Sequence, residues 1–477
     1  MLNSAHTTSI HRLDDDSLLN VFHFYRPNIL GEDQDVNIRM QGGGQWTGER
    51  WWYGLAQVCQ RWRNIILGSS SYLGLNLLCT HGTPVAGMLV HSPPLPLVID
   101  YNNHDITADD EEAVTLALAQ RDRVRRIRFA QPVLKLQKLI MAMDGEYPIL
   151  ECLIMWVGHE EKSLVLILPE TLQTPHLCHL AIDCSIPIPI RSPLLGTAVG
   201  LVVLSLAMDH PSTYFQPTVL LQWLLLMPQL EILRISFYFD IPDHDVERQL
   251  TPAPLITHAT LPNLRLFALK AVSAYSEAIL SRMTVLRLEI FQICYPKELP
   301  SSVPQLLQFM RRTENLRFDR AKFNFYSKQV QVQVNPSEAK MLAAFSINVD
   351  CLHLDWQVSF VAQICVGLNQ MFTTVEHLTL AHKEHSQSSE EHNEVDHTEW
   401  RKLLRSFSNV KTLRIDDGLI IELSRCLALE DGECPMELLP ELQELVYLGS
   451  GDANDAFASF IDARKNAGCP VTMIKLY

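Results

Sequence analysis

At 477 residues the chain exceeds what one ordinary hydrophobic core holds, so it forms two or more domains or an extended repeat array. An apolar fraction of 47% against a charged fraction of 19% excludes a chain disordered throughout. A net charge of -15 repels phosphate backbones and argues against nucleic acid as a partner. The most apolar run, Leu194 to Met208, is short for a membrane span and contains Gly196, Gly200 and Ser205, so no membrane partner is expected. The eleven cysteines stand singly, with no Cys-x-x-Cys pair, mostly inside apolar runs such as Leu150 to Met155. That usage reads as buried free thiols, rather than disulfides, in a reducing intracellular compartment, cytoplasmic or nuclear. No Asn-x-Ser/Thr acceptor occurs, and Met1 to Asp16 lacks a signal-peptide pattern.

The first predicted element begins near Asp14 or Asp15, where acidic residues suit the positive end of a helix, and carries apolar residues at Leu18, Val21, Phe22 and Tyr25 before Pro27 ends it. Asn28 to Glu49 is polar, contains Gly42-Gly43-Gly44, and reads as a mobile loop. The triple glycine is no phosphate cradle, because no Lys-Ser/Thr follows it and no strand precedes it. A second helix is expected over Leu55 to Leu67, with Leu55, Val58, Cys59, Trp62, Ile65 and Ile66 on one face and Gly68 to Ser71 as its end. Taken alone, such a helix is ordinary core.

These two segments resemble the F-box, the short helical module that docks onto the adaptor subunit of SCF-type cullin-RING ubiquitin ligases. The likeness lies in the acidic-apolar helix start and in Val58-Cys59-x-x-Trp62-Arg63. It is nearest to basidiomycete fungal F-box proteins, in which an insert splits the box and segments like Cys79 to Val85 and Pro93 to Tyr101 follow. The resemblance implies that Leu13, Asp14, Leu18, Leu19, Val21 and Phe22 on the first helix, and Leu55, Val58, Cys59, Trp62 and Ile65 on the second, bind the adaptor. Asp14 stands where the F-box usually has Pro. Two short helices cannot enclose their own apolar faces, so these bury either against a partner or against the downstream chain.

From Val124 onward an apolar-x-x-apolar-x-apolar motif recurs, clearest at Leu150, Leu177, Leu201, Leu230, Leu264, Val375, Val410, Leu442 and Val471, with weaker copies headed by Val124, Met283, Leu316 and Val349. The mean step of about 29 residues falls in the leucine-rich-repeat range. Helical spacing appears between copies, over Thr218 to Met227, Pro304 to Arg312, Phe360 to Phe372 and Thr398 to Phe407. Each unit is therefore a strand, a turn and a returning helix, which must stack on its neighbours to bury both faces. The motif resembles leucine-rich repeats in the strand only, since the Asn that usually follows is absent from almost every copy. The fold class expected is α/β, a small all-helical F-box at 1–75 with an insert at about 28–49, a connecting segment at 76–121 and an irregular leucine-rich-repeat-like solenoid at 122–477. The His-rich acidic stretch 382–399 matches no metal motif and reads as a solvated loop. Phe457 to Arg464 is very like the closing helix of the fungal family.

No GxSxG elbow, Walker loop or dinucleotide fingerprint occurs. His353 and Asp355, read as neighbours on one strand with Cys351 beside them, are structural. No enzyme activity, cofactor or metal is expected. A recognition surface is read instead. If the motif's apolar positions face the core, the residues between them line a concave face. That puts Arg126, Arg128, Arg234, Lys270, Arg287, Arg320, Lys322, Arg414 and Lys475 there, against Asp183, Glu289, Asp355, Asp416 and Glu444, with Trp156 and Trp356 as aromatic anchors. The excess of positive charge suits an acidic or phosphorylated segment of a protein target, although Arg stems also simply cover apolar surface. Two readings follow: the target-binding subunit of an SCF-type ligase, held by a Skp-family adaptor and through it a cullin, or a non-catalytic interaction scaffold whose degenerate F-box recruits no ligase.

Overall fold

A computed structural model describes residues 13–27, 46–102, 106–157, 165–189, 191–239, 258–296, 299–313, 315–316, 318–336, 343–383, 397–428, 436–448 and 453–476. The chain divides into two compact units, Met1–Thr213 and Tyr214–Tyr477. Most of the insert at 28–49 and most of the His-rich stretch lie outside the described residues.

The first unit opens with helix α1 (Asp15–Tyr25), whose N-cap Asp14 accepts a 2.7 Å hydrogen bond from the Ser17 amide. That bond holds the Asp14 carboxyl below the usual carboxylate range, and Asp14 starts the helix by capping it. The single helix expected over 55–67 is two helices, α2 (Trp51–Val58) and α3 (Gln60–Gly68). Cys59 breaks them apart with an extended backbone (φ -160°, ψ 168°), and its Sγ accepts from the Trp62 amide at 3.5 Å, acting as N-cap of α3. A 3-10 turn, Trp46–Arg50, precedes α2 where the loop was expected to continue.

Six parallel strands follow in chain order, β1 (Leu77–Thr80), β2 (Leu97–Tyr101), β3 (Val124–Ala130), β4 (Cys152–Trp156), β5 (His179–Asp183) and β6 (Val203–Met208). Helices α4 (Val85–His91), α5 (Ala108–Leu118) and α6 (Val133–Met141) connect the first of them. Segment 76–121 is thus not a connection: it contributes two strands hydrogen-bonded in register, Leu97 beside Leu77 and Asp100 beside Arg128. Alternation does the rest, Leu153 and Met155, Leu180 and Ile182, and Leu204 and Leu206 being buried on one side of the sheet.

In the second unit the strands are β7 (Ile232–Phe237), β8 (Ala259–Leu261), β9 (Leu266–Lys270), β10 (Met283–Val285), β11 (Ile290–Tyr295), β12 (Arg320–Tyr326), β13 (Gln329–Asn335), β14 (Phe345–Asp350), β15 (His377–Lys383), β16 (Thr412–Asp416), β17 (Glu444–Leu448) and β18 (Thr472–Leu476). Ten of them lie in the order β7-β9-β11-β14-β13-β12-β15-β16-β17-β18, while β8 and β10 form a separate pair. All neighbours are parallel except β13, which runs antiparallel to both β12 and β14. This hairpin insertion interrupts the succession of repeats. Phe267, Phe291, Phe345 and Phe318 stack behind it at ring separations of 5.5, 5.9 and 5.9 Å. Helices α7 (Pro217–Leu225), α8 (Ser273–Leu280), α9 (Pro304–Arg312), α10 (Leu354–Gly367), α11 (His397–Arg405), α12 (Ile420–Leu427) and α13 (Ala453–Asn466) join the strands. Each unit is a leucine-rich-repeat-like array of parallel strands with helical returns, the α/β class expected.

Candidate functional site: the helical head and the open faces of the sheets

The head is built on the seam between α1 and α3. Phe22 and Trp62 meet edge to face at 4.9 Å, and Leu18 and Ile66 are fully buried beside them. Trp62 is only 8% exposed. Leu18, Phe22 and Trp62 therefore hold the head together and offer no free surface to an adaptor. Of the other expected docking residues, Leu19, Leu55, Cys59 and Ile65 are half-buried, while Leu13, Val21 and Val58 are exposed. Asp14 is an exposed cap. Arg61 ties the start of α1 to α3 through Asp15 Oδ1 at 2.7 Å and the Leu13 carbonyl at 2.6 Å.

Beside the seam lies an exposed face that combines Val21 and Tyr25, read from the sequence as part of the apolar set, with Phe24, which was not. Val21, Phe24 and Tyr25 stand at i, i+3 and i+4 on α1 with exposures of 45%, 87% and 64%. Val21 and Tyr25 belong to the apolar set expected on this helix, and Val21 to the expected docking residues, but both are exposed rather than buried with Leu18 and Phe22; Phe24 was not expected there. These three large apolar side chains are exposed together on one face of the helix and take no part in its packed seam.

A short strap joins the head to its strands. The Glu49 carboxylate, expected in a loop, is buried and receives Arg126 Nη1 at 2.8 Å and Asn76 Nδ2 at 2.7 Å. Asp100 receives Arg128 Nε at 2.7 Å and the Trp46 amide at 3.1 Å, and the Arg128 guanidinium lies 4.5 Å from the centre of the Trp46 ring. The Trp52 indole donates to the Asn76 carbonyl at 3.1 Å. Gly74, at φ +60°, turns the chain so closely past Arg26 that a Cβ there would meet its guanidinium at 3.0 Å. Arg126 and Arg128 are thus internal anchors, not target contacts as expected. Trp156, at the end of β4, is half-buried between Ala130 and Asp183 in register.

In the second unit the basic residues divide. Arg320, Lys322 and Arg414 are exposed. Lys322 and Arg414 flank Thr379 in register on β12, β16 and β15, placing their backbones about 10 Å apart. None of the three makes an ion pair among the described residues. His377 lies beside Arg320 in the next row, with Glu444 two strands on. Arg234 is half-buried, and burial pushes its pKa down from the ordinary guanidinium value. Lys270 Nζ sits 4.0 Å over the Tyr238 ring.

Four placements differ from expectation. Arg287 is in a bend after β10, because the true strand begins at Ile290. Lys475 is on the helix side of β18, level with buried Tyr447, since Met473 rather than Ile474 aligns with Leu445. Asp355 and Trp356 are in the first turn of α10, not on a strand; Trp356 is exposed, its ring 4.8 Å from His353. Cys351 is a buried thiol whose pKa burial raises, so it is no activated nucleophile.

Each of the ten described cysteines is free. Burial pushes the Cys79 and Cys152 thiols up to about 12, which keeps them protonated and inert near neutral pH. Among the described residues no three His, Cys, Asp or Glu side chains gather as a metal site, and no helix is long and apolar enough to cross a membrane.

No protein-family model matches the chain, and no curated protein matches it. Among solved structures it is similar to the leucine-rich repeat-containing protein LegL7 from Legionella pneumophila, at 10% identity over 84% of this chain and 89% of that one, with a TM-score of 0.26.

Proposed function

We propose that the chain is a non-catalytic adaptor: its head docks onto a Skp-family adaptor and so onto a cullin scaffold in an SCF-type ubiquitin ligase, and its repeats hold a protein target. The observation that carries the reading is the exposed face of α1 formed by Val21, Phe24 and Tyr25, beside a Val58-Cys59-x-x-Trp62-Arg63 segment that resembles the F-box. An amphipathic helix that keeps such residues in water gains a reason to do so if a partner's groove buries them. Arg320, Lys322 and Arg414, unpaired among the described residues, then offer the target side a basic patch for carboxylate or phosphate oxygens. No bond is made or broken by the chain itself; it raises the local concentration of target lysines near a charged conjugating enzyme.

Co-purification of the full chain with a Skp-family adaptor and a cullin tests this. Wild type recovers both, and the Val21→Asp, Phe24→Asp variant recovers neither while keeping its unfolding midpoint, since both side chains are already exposed. Equally low recovery by wild type and variant would leave only the interaction-scaffold reading, with a head that recruits no ligase.

A further inference from the structure

A cleft of about 530 Å³ lies between α2 and the turn that leads from β1 into α4. Its floor is apolar, formed by Trp52, Leu77 and Leu78. Its rim carries the two guanidinium groups of Arg50 and Arg63 and the His81 imidazole, and among the described residues no carboxylate lines it. In a chain with 54 acidic and 39 basic residues, a cavity with that lining runs against the overall balance.

The rim groups have capacity to spare. The Arg63 side chain makes no hydrogen bond or ion pair among the described residues, and Arg50 makes one long contact, 3.4 Å to the Thr83 hydroxyl. His81 is fixed in place by Asp110, 2.6 Å from its Nδ1. Asp110 itself is buried and already accepts from the Gly82 amide and from the Thr107 amide and hydroxyl, so its charge is spent inside the fold. The contrast with Arg126 and Arg128 is direct, because those guanidinium groups have their carboxylates and these have none among the described residues.

We infer that this cleft binds an acidic peptide of a partner protein, an anionic side chain lying between Arg50 and Arg63 and a neighbouring apolar side chain reaching the floor. Both guanidinium groups present forked donors that match carboxylate and phosphate oxygens alike. The site stands independently of whether α1 docks an adaptor, since it uses none of the α1 face.

Titration of the full-length chain with phenyl phosphate, phenylacetate and inorganic phosphate, followed calorimetrically, tests the site and separates the sources of the anion. Phenyl phosphate is expected to bind saturably. Inorganic phosphate should bind about tenfold more weakly, for want of the apolar part, and Arg50→Gln, Arg63→Gln should weaken phenyl phosphate by about tenfold or more. Arg312→Gln, which removes an exposed charge elsewhere, should change nothing. Phenylacetate binding within a few-fold of phenyl phosphate assigns the site to Asp or Glu peptides; selective phenyl phosphate binding assigns it to phosphorylated ones. Absence of saturation with both aromatic probes, or equal weakening by the Arg312 and the Arg50/Arg63 variants, overturns the inference. Unchanged unfolding midpoints guard against misfolding, both arginines being exposed.

Discussion

Arg126 and Arg128 on β3, and Arg320 and Arg414 on β12 and β16, occupy the same kind of position, between the core residues of a strand, yet their fates are opposite. The β3 pair is buried and each guanidinium meets a carboxylate, Glu49 or Asp100. The β12 and β16 residues are exposed and unpaired among the described residues. Strand parity decides which side of a sheet a residue takes. Whether that side is open depends on what crosses it, and here a five-residue 3-10 turn, Trp46–Arg50, covers the β3 end. A basic row read from strands alone therefore mixes structural anchors with available ligands.

The largest effect expected from this contrast is on stability. Asp100→Ala strands the buried Arg128 charge and should cost about 3–5 kcal/mol in urea unfolding, whereas Arg414→Ala should stay within about 0.5 kcal/mol. Similar costs for the two would erase the distinction. A smaller effect sharpens it, because a buried carboxylate can also be satisfied without arginine. Burial alone would raise the Asp110 pKa, but the Thr107 and Gly82 donors and His81 outweigh it and hold the carboxyl below its usual 3.8. A depressed folded pKa contributes stability that is present above the unfolded value and lost as pH falls through the folded one. Asp110→Asn should therefore cost about 1–3 kcal/mol above about pH 5, with the gap from wild type closing below about pH 4. A gap that widens on acidification would contradict the assignment.

Much of the array can be read by eye because β-strand alternation is local. Leu153/Met155, Leu233/Ile235 and Leu413/Ile415 sit where the motif puts them, buried on one side. Errors arise where two overlapping frames both satisfy the motif. The Met283 copy is displaced by five residues from Leu288-x-x-Phe291-x-Ile293, which heads the true strand β11, and this shift is what carried Arg287 off the sheet. In the last strand, Met473 and Ile474 are equally apolar, and only pairing with Leu445 selects the phase. The β13 hairpin had a signal, the strict Gln-Val alternation from Gln329 to Val334, although not the repeat motif. Glu49 paired with Arg126 had none, since the two are 77 positions apart and neither is unusual where it stands. On the head, periodicity identified Leu18, Phe22 and Trp62 correctly as one apolar set, but an apolar set that fits itself together is core. The same periodic set also held Val21 and Tyr25, which the i, i+3, i+4 spacing cannot tell from Leu18 and Phe22 but which lie, with Phe24, on the exposed side of the helix.

Titration of purified Skp-family adaptor into the full-length chain, with amide hydrogen exchange read along α1, addresses the adaptor claim most directly. The account predicts that adaptor slows exchange over Asp15–Tyr25, where the exposed face lies, and that Phe24→Asp abolishes the protection without altering unfolding. Identical exchange on α1 with and without saturating adaptor would contradict it.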